Sequence, residues 1–380
     1  MTRLGRPSLP AWAALVASAI VAAGLVGTLA GTIQSWGFDF GGYWSAAHIP
    51  LAQGWAHLYD RQVQALAYRG LGLAKPGDSY VNFYIAPPPL VWLVLPLVRL
   101  PFHAAAITWS LLQLVAILAA WWLAAPAGRL RRAITLLALL GAFPVAYTLF
   151  WGQAAGFILL GLAGAYVLIK HGQPVAAGLA LCVLVLKPQD MFLVPFVLLA
   201  AGYWRVFAAW LAGSAVLAAA SVILVGTSGI GQLLQLQRGF IGSGYSEGPL
   251  LTVGGLPTAI AGAAVIAVAA LAWAWHTRDL ATAFWVGITG SLASTPYIHD
   301  VDLALVLAAG WIALREREAG WTPWLVAAMW VAAELFLVGY PVLAFVGILT
   351  WAAGTVMLGR SRRAAGPQPV RGSALAASSA

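Results

Sequence analysis

Long Ala-, Leu- and Val-rich runs, separated by short segments that carry arginine, make up most of this chain. Runs of this length are the hydropathy signature of transmembrane helices rather than of one buried core helix. The pattern predicts spans at 11–33, 102–125, 133–150, 154–169, 174–186, 191–203, 206–226, 254–275, 280–295, 301–314, 322–339 and 342–358. Several fall short of the roughly 20 residues that a perpendicular crossing needs. Short or broken helices are expected where the chain lines a cavity walled by protein. The stretch IAPPPLVWLVLPLVR, 85–99, is apolar but short and proline-rich, and is read as a half-buried or re-entrant helix. Two intervening segments, 34–84 and 227–253, are long and rich in Gly, Tyr and charge, unlike inert connections.

The expected architecture is an all-α integral membrane protein, a single polytopic domain over 1–358 with about twelve transmembrane helices. Segments 34–84 and 227–253 are its extracytoplasmic loops. An Ala/Ser/Gly/Pro-rich tail, 359–380, is expected to be a disordered cytoplasmic segment. Arg3 and Arg6 before the first run mimic a secretory signal, but the run is too long for a usual signal core and many spans follow. It is read as an uncleaved first helix.

Composition sharpens this picture. Of 380 residues, 62% are hydrophobic and only 8% charged, so lipid must be the solvent for most of the surface. The net charge of +9 is topological rather than a nucleic-acid footprint. With the N-terminus in the cytoplasm, fourteen of the 20 Lys and Arg residues fall inside. Arg61, Arg69, Lys75, Lys187 and Arg238 fall outside, and Arg99 is unplaced. Both termini are then cytoplasmic, in a plasma (inner) membrane. Asp39, Asp60, Asp78, Asp190, Glu247, Asp300 and Asp302 gather at the outer rim. The single cysteine, Cys182, excludes an internal disulfide and a cysteine metal cluster.

The first long loop opens with GFDFGGYWSAAHIPLAQGWAHLYD, 37–60. Asp39 directly follows the first span, where partial desolvation raises a carboxylate toward a useful base. An ordinary helix-capping Asp is the competing reading. Lys187 is the only lysine in a long apolar stretch, next to Pro188. It can contact an anion, snorkel to the headgroups, or pair with Asp190 at i+3. His299, Asp300 and Asp302 do not form a recognised metal spacing, and His299 and Asp300 are read as substrate contacts. Gln153 and Gln189 can serve hydroxyl groups of a ligand or cap helices. Arg238 is a further substrate candidate. Glu334 lies inside a span, where a proton relay and a protonated acid bonded to a neighbouring helix are both open.

Several of these segments, in order, resemble glycosyltransferase family 87. They are Asp39 with Tyr43, Gly54 and Tyr59-Asp60, then NFYIAPPP (82–89), Gly152-Gln153, PVAAGLALCVLVLKPQD (174–190) and STPYIHD (294–300). The resemblance implies a GT-C membrane fold whose catalytic Asp lies in the first extracytoplasmic loop, the place Asp39 occupies. It also implies inverting transfer of a sugar, mannose foremost, from a polyprenyl-phosphate donor to a glycolipid or glycan acceptor at the extracytoplasmic face. Tyr43, Gln153, Lys187, Gln189, Arg238, His299 and Asp300 would bind substrate, with no metal and no cofactor besides the lipid-linked donor. A secondary transporter or lipid flippase is the alternative, but no internal repeat is visible and the polar residues collect on one rim.

Overall fold

The computed structural model describes residues 36–73, 80–241, 249–317, 322–334 and 354. The predicted span 11–33, nearly all of 342–358, and the tail lie outside them. Every regular element among the described residues is helical. In chain order they are α1 (Phe38–Ala52), α2 (Arg61–Gly70), α3 (Pro88–Val94), α4 (Phe102–Ala124), α5 (Arg129–Leu140), α6 (Phe143–Trp151) and α7 (Ala155–Lys170). There follow α8 (Pro174–Leu181), α9 (Leu193–Ala200), α10 (Trp204–Ile241), α11 (Pro249–Thr277), α12 (Leu280–Ser294), α13 (Val306–Glu316) and α14 (Thr322–Glu334). Tight 3-10 turns extend α3 over Leu95–Arg99 and α8 over Cys182–Leu186, and precede α13 over Asp300–Leu305.

Apolar run length accounts for these positions, and among the described residues three or four of the expected dozen crossings meet the length and composition of a span. Among the described residues, Phe102–Ala124, Trp204–Phe240 and Gly254–Thr277 are long and apolar enough to cross a membrane alone. The pair α5 and α6, bent by 52° at its break, makes a fourth if it counts as one span. The shorter apolar helices differ in burial: α8 exposes Val175 and Leu179, whereas α12 is enclosed by protein. All fifteen residues of α12 are buried, as expected of a helix that is apolar on every face. Long helices behave in the opposite way: α10 and α11 expose Ile223, Val216, Val265 and Val268 on outward faces suited to lipid.

Close helix approach relies on small residues. A Cβ at Gly178 of α8 would stand 2.4 Å from the Val206 carbonyl oxygen of α10, so nothing larger fits. The segment 227–253, expected as a loop, is helical to Ile241 and again from Pro249. Gly226, at φ 71° and ψ 170°, interrupts the helical geometry inside α10, and the chain then resumes as helix. The 85–99 stretch forms α3 and its 3-10 extension, twelve residues in all, too short to cross unaided.

Candidate active site

Two glycine-terminated helix ends create the site. The N–H of Gly37, which precedes α1, donates to the Phe150 carbonyl at 2.8 Å. Gly152 ends α6 in the left-handed region at φ 79°, and a Cβ there would come within 2.6 Å of the Phe40 Cβ. Trp109 Nε1 of α4 closes the joint by donating to the Gly152 carbonyl at 2.8 Å. The start of α1 and the end of α6 are thereby locked together, which places Asp39 beside Gln153, 114 residues away in sequence.

Asp39 does not cap its helix. The N-cap is Gly37, without a side-chain bond, and the carboxylate reaches across the joint instead. Its Oδ2 accepts from Gln153 Nε2 at 2.6 Å. Its Oδ1 faces Asn82 Nδ2 at 3.4 Å, while that amide makes its shorter bond, 3.0 Å, to the Phe38 carbonyl. Tyr43 donates its hydroxyl to Gln153 Oε1 at 2.8 Å. Burial pushes the Tyr43 hydroxyl far above its ordinary range, so it remains a donor. That fixes the orientation of the Gln153 amide: oxygen toward Tyr43, nitrogen toward Asp39. Burial also raises the Asp39 carboxyl above the ordinary aspartate value, with His299, Gln153 and Lys187 opposing the shift only in part.

The wall carrying Asn82 is an extended segment pinned from both ends. Tyr84 N donates to Gln64 Oε1 at 2.8 Å, Tyr59 to the Ala86 carbonyl at 2.7 Å, and Gln237 Nε2 of α10 to the Ile85 carbonyl at 3.0 Å. Gly42 lets it approach α1, since a Cβ there would stand 3.0 Å from the Asn82 carbonyl oxygen.

Lys187, just past the 3-10 turn at 182–186, is buried and ion-paired with Asp302; Asp190 lies 3.7 Å from its Nζ. Burial would lower the Lys187 ammonium, but Asp302 and Asp190 outweigh it and hold the group above its usual value. Burial and the neighbouring Asp302 carry Asp190 well above the ordinary range. Asp302 is held below that range despite its burial, because Lys187 and His299 face it and the His299 N–H donates to it at 2.9 Å. His299 shares a hydrogen bond through Nε2 with the Tyr297 hydroxyl, and burial lowers its ring below the usual histidine value. Phe240 of α10 packs edge-on against Tyr297, with ring centroids 5.2 Å apart.

These groups border one cavity of about 580 Å³, within the usual range for small-molecule sites. Asp39, Tyr43, Gln153, Lys187, Gln189 and His299 all line it. Arg238 does not: it is exposed on α10, whereas its neighbours Gln237 and Phe240 line the cavity. Asp300 opens the 3-10 turn at 300–305, and its side chain lies outside the described residues. Sequence reasoning assigned no role to Asn82, Trp151, Gln237 or Tyr297. Asn82 and Tyr297 sit within the quoted segments 82–89 and 294–300, which was the available signal. Among the described residues no group of three or more His, Cys, Asp and Glu side chains is placed to hold a metal ion.

Glu334, left open by the sequence, accepts from the Phe143 N–H at 3.1 and 3.2 Å. It satisfies one of the orphan donors at the start of α6.

The sequence model of glycosyltransferase family 87 matches residues 84–296. Gln153, Lys187 and Gln189 lie inside the matched stretch; Asp39, Tyr43, His299 and Asp302 lie outside it. No curated protein and no solved structure matches. The matched residues make up more than half of the 380, and the chain belongs to glycosyltransferase family 87.

Proposed function

We propose that this membrane glycosyltransferase takes its sugar, mannose foremost, from a polyprenyl phosphate and delivers it to a glycan or glycolipid hydroxyl with inversion. The observation that carries this reading is the state of Asp39: a raised carboxylate at a cavity wall, one oxygen held by Gln153 and the other bordered only by a long amide contact. Oδ1 is the basic atom. It takes the proton of the acceptor hydroxyl as that oxygen bonds to the anomeric carbon and the bond to the lipid phosphate oxygen breaks. Phosphate leaves without needing a proton, so one carboxylate suffices.

Tyr43 and Gln153 hold the base rather than the sugar in this reading, because both ends of the Gln153 amide are engaged. Lys187 faces the leaving phosphate. Asp302 takes one of its three N–H groups and Asp190 lies toward a second, which leaves a third for a phosphate oxygen. Gln189 and His299 complete the donor wall. The rim faces the extracytoplasmic side, with the termini in the cytoplasm and the helices forming a GT-C-type bundle of the inner membrane.

The test is incubation of purified protein with radiolabelled polyprenyl-phosphate sugars and a panel of glycolipid and glycan acceptors. Release of polyprenyl phosphate in step with acceptor labelling is expected, fastest with mannose. Labelling from a nucleotide sugar alone would overturn the donor assignment.

A further inference from the structure

Besides Tyr43 and Phe83, the aromatic side chains lining the cavity include two clusters. Phe240, Tyr297 and His299 pack on one another near Lys187. Phe38 joins the other set, stacked on Tyr80 with centroids 5.6 Å apart and 26° between planes, and edge-on to Trp151 at 6.4 Å. This second set belongs to the base. Phe38 immediately precedes Asp39. Tyr80 and Trp151 stand two residues before Asn82 and Gln153, the two amides that bond the Asp39 carboxylate.

Three large rings around a carboxylate are expected to be buried if they serve packing alone. Here Phe38 is 37% and Tyr80 49% exposed, and all three rings line the cavity. An open aromatic face beside a polar amide fits a pyranose, whose axial C–H groups make one apolar face while its rim of hydroxyls seeks amides and carboxylates. The hydroxyl that gives up its proton must lie at Asp39 Oδ1, on this side, whereas the leaving phosphate belongs with Lys187. We propose that Phe38, Tyr80 and Trp151 form the acceptor subsite, a platform for a sugar ring whose reacting hydroxyl points at Asp39 and whose neighbouring hydroxyl meets Asn82. This rests on the reading of Asp39 as base. It adds which side chains seat the sugar ring of that acceptor.

Full-length protein in lipid nanodiscs tests this with methyl α-D-mannopyranoside as probe, followed by saturation-transfer NMR. Saturation should reach the C–H protons of the sugar in the wild type. Phe38→Leu and Trp151→Leu, which keep apolar bulk but lose the π face, should each weaken probe binding about two- to tenfold. They should leave polyprenyl phosphate binding and melting temperature unchanged. Trp204→Leu, which removes an exposed aromatic far along the chain, should leave probe binding as in the wild type. No saturation in the wild type, or equal saturation in the Leu variants, overturns the platform. So does a loss of polyprenyl phosphate binding or melting temperature that matches the loss of sugar. Normal probe binding by a protein that never transfers sugar would defeat the catalytic reading and leave the platform standing.

Discussion

Asp39 and Asp279 both stand at the start of a helix, and their surroundings differ in kind. Asp279 is the N-cap of α12: it accepts from Thr282 N at 2.9 Å, Thr282 Oγ1 at 2.6 Å and Arg317 Nη2 at 2.6 Å. Close by, Lys170 pairs with Glu316 at 3.0 Å, so each of these carboxylates meets a cation. Thr282 and Arg317 overcome partial burial and hold Asp279 below the ordinary aspartate range. Asp39 receives only amides, and its burial wins. A carboxylate that meets a guanidinium as well as neutral donors is held in its ionised form and has little basicity left. One that is buried and meets only neutral amides keeps its affinity for a proton. That difference separates a structural acid from the proposed base, although both are aspartates at the start of a helix.

The sharpest way to break this comparison is to exchange charge for amide at both places. Asp39→Asn preserves size and an acceptor for Gln153, so transfer should fall by about 10²–10⁴-fold with melting temperature unchanged. Asp279→Asn should leave the specific activity of folded protein intact. Near wild-type turnover in the first variant, measured on the same samples as donor binding and melting, would make Asp39 a second structural acid.

Lys187→Ala tests the cation-answered cluster inside the cavity itself. It strands Asp302 in a buried position, which should cost about 3–5 kcal/mol of stability. Adding Asp302→Asn should recover much of that, read as melting temperature. If Lys187 faces phosphate, the recovered double variant still needs more donor for half-maximal rate. Wild-type donor kinetics in that variant would reduce Lys187 to an ion-pair partner.

Tyr43→Phe sharpens the distinction more gently. Without its donor the Gln153 amide loses its fixed orientation, and kcat should drop about two- to tenfold, the size of one neutral hydrogen bond. Acceptor KM should hold steady, whereas a sugar-binding Tyr43 would raise it.

The two acids should also respond to pH with opposite signs. Asp39 binds its proton more tightly folded than unfolded, so between its ordinary and raised values stability falls as pH rises, while the rate climbs through the raised value. Asp279 contributes stability above its ordinary range, and that stability is lost as pH falls through its depressed value. Asp279→Ala should remove about 0.5–2 kcal/mol at neutral pH. The smallest effect expected is that of excess EDTA, which should leave activity unchanged; loss restored by Mn²⁺ would move Asp39 and Asp302 into a metal site.

Much of the helical layout was legible because it is local. The run 102–125 became α4, 280–295 became α12, and 154–169 became α7, each within a residue or so at either end. The number of crossings was less legible, because hydropathy alone does not separate a helix that faces lipid from α12, whose fifteen residues are all buried. Residues 227–241 read as loop from their Gly and polar content, yet they continue α10 past Gly226. That continuation explains Arg238. Gln237 and Phe240 are i and i+3 on the cavity face, and a helix turns about 100° per residue, so Arg238 is carried outward. Asp190 at i+3 was one of the partners the sequence offered Lys187; its nearer partner, Asp302, is 115 residues away and no local pattern announces it.

The bond from Phe143 N–H to Glu334 has a consequence for biogenesis. The two residues are 191 apart in sequence, so α6 leaves the ribosome long before the acid that caps it exists. At about 5–20 residues per second, that wait is on the order of 10–40 s. During it the break between α5 and α6 must rely on water or on the insertion machinery for its open N–H groups. Gln153 lies just past the far end of α6, so the Asp39 cradle settles only after most of the chain is made. Nascent chains released before Thr322 would carry every residue of the cavity wall and still lack the clasp that sets α6.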